Sequence, residues 1–206
     1  MKKRDLIGLL MATELEAEPL ISEHGFAAAG EHPFPTYSHG DVVLVLSGIG
    51  KANAAAAAAW LITTFAPRRV INAGAAGATG HDTDLGDIFQ IDTVFEFDRP
   101  RLRGEGVETF SPSLIAGPPA LRLATQDHTV TSAEERRWVS QFAELVDMEG
   151  AAVAGTCDRF GVPAVLIKFV SDTHDGHSIA DNIIWLRDTF CDQLYHWLRN
   201  PGSTWE

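Results

Sequence analysis

The hydrophobic pattern alternates between short apolar runs and longer helical stretches. Leu6-Ile7-Gly8-Leu9-Leu10-Met11 is a continuous apolar run, the pattern of a strand buried on both faces. Glu14 to Ser22 reads as the helix after it, ending near Gly25. Residues 26 to 41, rich in Gly, Pro and His, read as turns around a weak strand. Asp41 to Leu46 is a second strand, stopped by Ser47-Gly48-Ile49-Gly50. A helix is expected from Lys51 through Phe65, with an unbroken alanine run from Ala54 to Ala59, and Pro67 ends it.

The rest of the chain continues the alternation. Val70 to Ala73 is a third strand running into a turn, Gly74-Ala75-Ala76-Gly77. Residues 87 to 97 form another, while the Pro/Gly-rich text from Arg99 to Pro119 reads as a mobile loop. Leu121 to Ala124 is a short strand. Ser132 to Phe142 is a helix opened by Ser132 with Glu135 three residues on, a capping pattern. Leu145 to Met148 is a strand, Glu149 to Phe160 a helix ending at Gly161, and Val162 to Val170 the clearest late strand. The last helix, from about Asp181 to Arg199, carries two tryptophans, Trp185 and Trp197, for which core packing is the default. Strands and helices alternating without a linker or repeat predict a single α/β domain over 1–206, a three-layer α/β/α sandwich on a central mixed, twisted sheet.

Composition narrows the function classes. A formal net charge of −12 argues against a surface that tracks nucleic acid phosphates. It leaves room for a small anion held by backbone N–H groups. Cys157 and Cys191 lie on separate predicted helices without metal spacing, which reads as two free thiols in a reducing compartment. Met-Lys-Lys-Arg-Asp is followed by too short an apolar run for a signal peptide, and nothing reaches the length of a membrane span, so a cytoplasmic location is expected.

Acids stand near predicted strand ends at Glu14/Glu16, Asp127, Asp147/Glu149 and Ser171-Asp172. Ligands of open α/β sheets gather at the carboxyl ends of strands; any one such acid alone reads as a solvated helix-start carboxylate, and the four together are more suggestive of a site. Ser47-Gly-Ile-Gly-Lys51 could turn backbone donors toward an anion or a sugar hydroxyl, yet it lacks the spacing of a dinucleotide fingerprint or a P-loop. His174 and His177 flank Asp175, but the spacing is not that of a zinc helix; a polar loop over the site is the better reading, and no metal or other cofactor is expected. No G-x-S-x-G elbow supports a serine hydrolase.

Leu145-Val-Asp-Met-Glu-Gly-Ala-Ala-Val-Ala154 resembles the V-E-M-E-x-x-A-x-A segment of the nucleoside phosphorylase and methylthioadenosine/S-adenosylhomocysteine nucleosidase superfamily. Ala12-Thr-Glu-Leu-Glu16, Ser47-Gly-Ile-Gly-Lys51, Ile71-Asn-Ala-Gly-Ala-Ala-Gly77 and Val170-Ser-Asp172 agree in order, while 98 to 120 is unmatched. The resemblance implies cleavage of the N-glycosidic bond of a purine nucleoside through an oxocarbenium-like sugar. It implies Asp172 as the acid at purine N7, beside Ser171. Glu149 would bind the ribose hydroxyls, Met148 would pack on the sugar, and Glu16 would activate water, with Glu14 as the alternative base. Val130 would contact the base through its main chain, and Ala75 and Gly77 would lie in the turn near the sugar. A homodimer is also implied.

Phosphorylases of the superfamily carry an arginine in that turn, where a guanidinium binds phosphate bidentately. This chain has none there, and Glu16 would repel phosphate, so water is favoured as acceptor. Asp147 in place of Glu, Ala75 in place of Ser and Gly150 in place of Ala or Thr depart from the pattern. Methylthioadenosine or S-adenosylhomocysteine leads as substrate. Futalosine- and adenosylhopane-type hydrolysis, a phosphate-dependent phosphorylase and a non-catalytic nucleoside-binding module are the alternatives.

Overall fold

The computed structural model describes residues 5–80, 83–100, 106–173 and 178–200. Among them lie ten strands: β1 (Ile7–Met11), β2 (Ala27–Gly30), β3 (Thr36–His39), β4 (Val42–Leu46), β5 (Arg69–Ala78), β6 (Ile88–Pro100), β7 (Val107–Phe110), β8 (Ala120–Thr125), β9 (Leu145–Asp147) and β10 (Ala164–Asp172). Five helices join them: α1 (Glu14–Ser22), α2 (Lys51–Phe65), α3 (Ala133–Val139), α4 (Gly150–Phe160) and α5 (Ile179–Arg199). The expected α/β architecture on a mixed sheet is what forms.

β5 is the hub of that sheet. Its first half pairs in parallel with β1, much of its length pairs in parallel with β10, and its last two residues pair antiparallel with β9. The pairings β10–β6, β6–β8 and β8–β9 return to β5, so this part of the sheet closes on itself. β1, β4, β3 and β2 extend from β5 as an open wing.

Strands with both faces covered send alternate residues to different cores. Ile7, Leu9 and Met11 of β1 join Ala17 and Leu20 of α1 and Phe190, Cys191, Leu194, Trp197 and Leu198 of α5. Leu10 faces the other way, with Ala54, Ala57, Ala58 and Leu61 of α2 and Ala151, Val153, Ala154 and Cys157 of α4. The alanines let α2 lie close to the sheet. Leu61 fills the space where a Cβ on Gly8 would sit, its Cδ2 only 2.8 Å from that position. A smaller core of Ala124, Val130, Val139, Ala143 and Val146 lies under α3.

Five expectations require correction. Gly74–Gly77 is not a turn: β5 continues through it to Ala78, held by β10 and β9 on its two sides. Residues 26 to 41 form two strands, β2 and β3, in an antiparallel ladder on β4. The segment expected as a loop from Arg99 contains β7, which pairs with β6 through Val94–Phe110 and Phe95–Thr109. α3 ends at Val139, short of Phe142, and Ser132 caps it by accepting from the Glu135 N–H, while the Glu135 carboxylate turns to His128 and Gln126. Of the two tryptophans on α5, Trp197 is in the core and Trp185 is 72% exposed.

Candidate active site

The carboxyl ends of β1, β5, β9 and β10 bring three acids to one region. Glu16 is the third residue of α1, and Thr13 caps that helix in a reciprocal box. Glu16 Oε2 accepts from Thr13 N–H at 3.0 Å and Thr13 Oγ1 at 2.7 Å, and Oε1 accepts from the Ala75 N–H at 2.9 Å. The carboxylate is thereby tied to β5. Glu14 is exposed, so of the two candidate bases only Glu16 is buried here.

The glycines of β5 explain how acids come so close. A Cβ on Gly74 would stand 2.6 Å from Glu16 Oε1, and one on Gly77 would stand 2.8 Å from Asp172 Oδ2. Real Cβ atoms do not approach oxygens so closely, so each glycine leaves the space its neighbouring carboxylate fills. Gly77 also pairs across the sheet with Asp172 on one side and Val146 on the other. Met148 and Glu149 follow just beyond Val146, so Glu149 and Asp172 leave the sheet on either side of one β5 residue.

Glu149 is buried, and its Oε1 accepts from the Gly50 N–H at 2.8 Å. The Ser47–Lys51 turn therefore does direct backbone donors at anions, but the anions belong to the chain: Lys51 N–H donates to Asp127 Oδ1 at 2.8 Å. Asp127 itself lies in the loop after β8 with its side chain half-exposed, and is not a member of the buried group. Burial pushes the Glu149 carboxyl up to about 7, reinforced by the negative Asp147 and more weakly by Glu16, against the opposing pull of Lys168 and the Gly50 N–H.

Asp147 has partners of its own. It accepts from Thr125 Oγ1 at 2.6 Å and Gly150 N–H at 2.8 Å, and pairs with Lys168 Nζ at 2.8 Å. Lys168 is fully buried; desolvation alone would lower its pKa, but Asp147, Glu149 and Glu16 hold it above the ordinary lysine value. Gly150 has a packing reason, since a Cβ there would meet Leu123 at 2.6 Å and Asp147 at 3.0 Å.

Asp172 Oδ1 accepts from Ser171 Oγ at 2.9 Å, and Oδ2 accepts from Arg136 Nη2 at 3.0 Å. Ser171 is held in turn, its carbonyl accepting from Asn182 Nδ2 at 2.8 Å. Arg136 also donates through Nη2 to the Val130 carbonyl at 3.2 Å and through Nη1 to the Ala78 carbonyl. Val130 is buried and Met148 half-buried.

Of the residues singled out in the sequence, Glu16, Ala75 and Gly77 share β5 contacts with Asp172 and Ser171, and Glu149 and Met148 flank them. Lys168 and Arg136 were missed. Lys168 had a signal, a lone lysine inside an otherwise apolar strand; Arg136 had none, standing beside Arg137 in a polar helix. His174 and His177 lie outside the described residues. Among the described residues no cluster of His, Cys, Asp and Glu could hold a metal ion, and no helix is long and apolar enough to cross a membrane.

Comparison with known proteins then gives a consistent set of relatives. The sequence model of the phosphorylase superfamily matches residues 6–131 and 123–195. A 5′-methylthioadenosine/S-adenosylhomocysteine nucleosidase of Staphylococcus epidermidis is 31% identical over 164 residues, covering 68% of this chain and 72% of that protein. The crystal structure of the Helicobacter pylori nucleosidase of the same name, with butyl-thio-DADMe-Immucillin-A, superposes with a TM-score of 0.82 at 23% identity, covering 94% of this chain and 97% of that one. The native futalosine hydrolase of Helicobacter pylori also gives 0.82, at 21% identity, with the same coverage of 94% and 97%. The two structural likenesses speak for the fold.

Proposed function

The chain belongs to the phosphorylase superfamily, and from that premise we propose that it is a purine nucleosidase, cleaving the N-glycosidic bond with water as acceptor. The observation that carries this reading is the meeting of Glu16, Glu149 and Asp172 around the glycines of one strand. The named relatives act as nucleosidases, and 5′-methylthioadenosine or S-adenosylhomocysteine leads as substrate.

The chemistry divides among the three acids. Asp172 meets purine N7 and supports the base as the C1′–N9 bond breaks and its electron pair moves into the ring system. Glu149 accepts from the ribose 2′ and 3′ hydroxyls, opposite a sugar that is gaining positive charge. Glu16 takes a proton from the water that attacks C1′, and its ties to Thr13 and Ala75 fix the direction from which it acts. Val130 contacts the base, Met148 packs on the sugar, and Ala75, Gly77 and Ser171 shape the space between.

Water is favoured over phosphate for an electrostatic reason. The stretch Gly74–Gly77 carries no cation. The nearby Lys168 and Arg136 are each taken up by a carboxylate, Asp147 and Asp172. The reading extends to a homodimer in the cytoplasm; two free, buried cysteines, their thiols pushed up to about 12 by burial, suit a reducing compartment.

Product analysis tests the proposal. Incubation with methylthioadenosine should release adenine and the free sugar at a rate independent of phosphate, and Glu16→Gln and Asp172→Asn should each lower that rate by about 100-fold or more. A sugar 1-phosphate product would instead establish the phosphorylase. Tight nucleoside binding with no base release over hours would make the chain a binding module.

A further inference from the structure

Lys51, the first residue of α2, gathers charges that the proposed reaction does not use. Its Nζ lies 2.5 Å from Asp98 Oδ1, 3.3 Å from Glu96 Oε1 and 3.8 Å from Asp127 Oδ2. The Lys51 and Glu96 side chains are mostly buried, so this is not a solvated surface pair of the kind that contributes little. Asp98 makes a second bond, its Oδ2 accepting from the Asp127 N–H at 2.8 Å. The strand register explains the meeting. Glu96 of β6 pairs with Thr125 of β8, so two residues further on Asp98 comes level with Asp127, where β8 has ended. Asp98 therefore holds the start of α2 with one carboxylate oxygen and the loop after β8 with the other.

The same turn supports Glu149. The Gly50 N–H donates to Glu149 Oε1 and the next N–H, that of Lys51, donates to Asp127 Oδ1, both at 2.8 Å. Two consecutive N–H groups thus reach acids on two different elements, and the aim of the first depends on how the second residue is held. Gly50 has a φ of +97°, a conformation that side chains rarely adopt, and a Cβ there would stand 3.3 Å from Asp127 Oδ1. Lys51 anchors the turn in that conformation from the α2 side, and Asp98 anchors both Lys51 and Asp127. We propose that Asp98, acting through Lys51 and Asp127, is a positioning residue for Glu149: it fixes the Gly50 N–H that directs this carboxylate at the ribose 2′ and 3′ hydroxyls. The ribose role of Glu149 rests on the nucleosidase reading, whereas the positioning of its carboxylate does not.

Asp98→Asn tests it, since an amide keeps the size but cannot accept from both Lys51 and the Asp127 N–H as a carboxylate does. The first readout is the titration of Glu149 without substrate, by carboxyl carbon NMR of labelled glutamate, with Glu149→Gln identifying the resonance. Burial, Asp147 and Glu16 push this carboxyl up, while Lys168 and the Gly50 N–H draw it down. Removing the negative charge of Asp98 would by itself lower it, whereas losing the aimed N–H raises it. The midpoint should therefore move upward by about one pH unit in Asp98→Asn, and a midpoint that stays or falls would overturn the proposal. The second readout is the ratio of kcat/KM for 5′-methylthioadenosine over its 2′-deoxy counterpart. It should fall by about tenfold in Asp98→Asn, toward the ratio shown by Glu149→Gln. A merely structural role for Asp98 would depress both substrates equally, and a ratio unmoved in Asp98→Asn but lowered in Glu149→Gln would refute the positioning. A ratio unmoved in both variants would instead remove the ribose role of Glu149, and the titration alone would then decide the positioning. Should Asp98→Asn fail to fold, Lys51→Gln takes its place in the second readout, with the same fall expected and an unmoved ratio refuting the proposal.

Discussion

Glu149 makes the protein's stability depend on pH in a direction opposite to that of most carboxylates. Its carboxyl is pushed up to about 7, first by burial and then by Asp147, whereas in the unfolded chain it returns to about 4.5. Between those values the native state keeps a proton that the unfolded state has released, so the unfolding free energy falls as pH rises. The contribution is present in full below pH 4.5 and is lost as pH passes through 7. Its whole span corresponds to about 3 kcal/mol, most of which falls between pH 5 and pH 8. Glu149→Gln has no proton to release and keeps the amide neutral in both states. Urea unfolding of wild type and variant across that range should show the variant gaining about 2–3 kcal/mol on the wild type from pH 5 to pH 8. The difference between the two proteins, not either profile alone, is the informative quantity, since every other titrating group is common to both. A difference that stays flat to within about 0.5 kcal/mol would show that Glu149 is not held in the environment described, and the electrostatic account of the site would go with it.

Two further perturbations probe the same region. Gly77→Ala places a Cβ 2.8 Å from Asp172 Oδ2, so base release should fall by at least about tenfold as the carboxylate is displaced, and an unimpaired rate would refute the close-approach role of that glycine. Lys168→Met leaves Asp147 buried without its cation and should cost about 3–5 kcal/mol in urea unfolding, with Asp147→Asn on the same background restoring part of the loss; a loss below about 1 kcal/mol would contradict a buried, paired lysine.

Sequence pattern located the elements whose identity is set locally. α1 lies where it was expected, α2 falls where its alanine content puts it, and β1, β4 and β10 fall where their apolar runs lie. The elements it missed depend on distant partners. β7 has little alternation of its own and exists through its ladder with β6, and its Phe110 ring packs where a Cβ on Gly155 would sit. The stretch Gly74–Gly77 looks like a turn because glycine ends strands so often. It remains a strand because β10 and β9 supply partners on both edges. Its glycines serve the neighbouring carboxylates, which only the folded chain reveals. At the site the acids were legible from their motifs and their positions at strand ends. Their counter-charges were not: Arg136 and Arg137 are adjacent and alike in sequence, and only helix geometry turns the first of them inward to Asp172.

The distribution of those counter-charges gives the site its chemical asymmetry. Asp147 has Lys168 and Asp172 has Arg136, each at ion-pair distance in a buried setting. Among the described residues Glu149 receives no such partner: it accepts from the Gly50 N–H, and Asp147 opposes its ionisation from nearby. Ionising Glu149 is therefore unfavourable, and a positive charge arriving beside it would remove much of that penalty. In the proposed reaction such a charge develops on the sugar as the glycosidic bond breaks, and it is absent from the ground-state nucleoside. An interaction that strengthens only as the transition state forms lowers the barrier, whereas one made equally to the substrate would not. The Lys168–Asp147 pair thus does more than fill the interior. By keeping Lys168 for itself, Asp147 leaves Glu149 as the acid whose charge the substrate must complete.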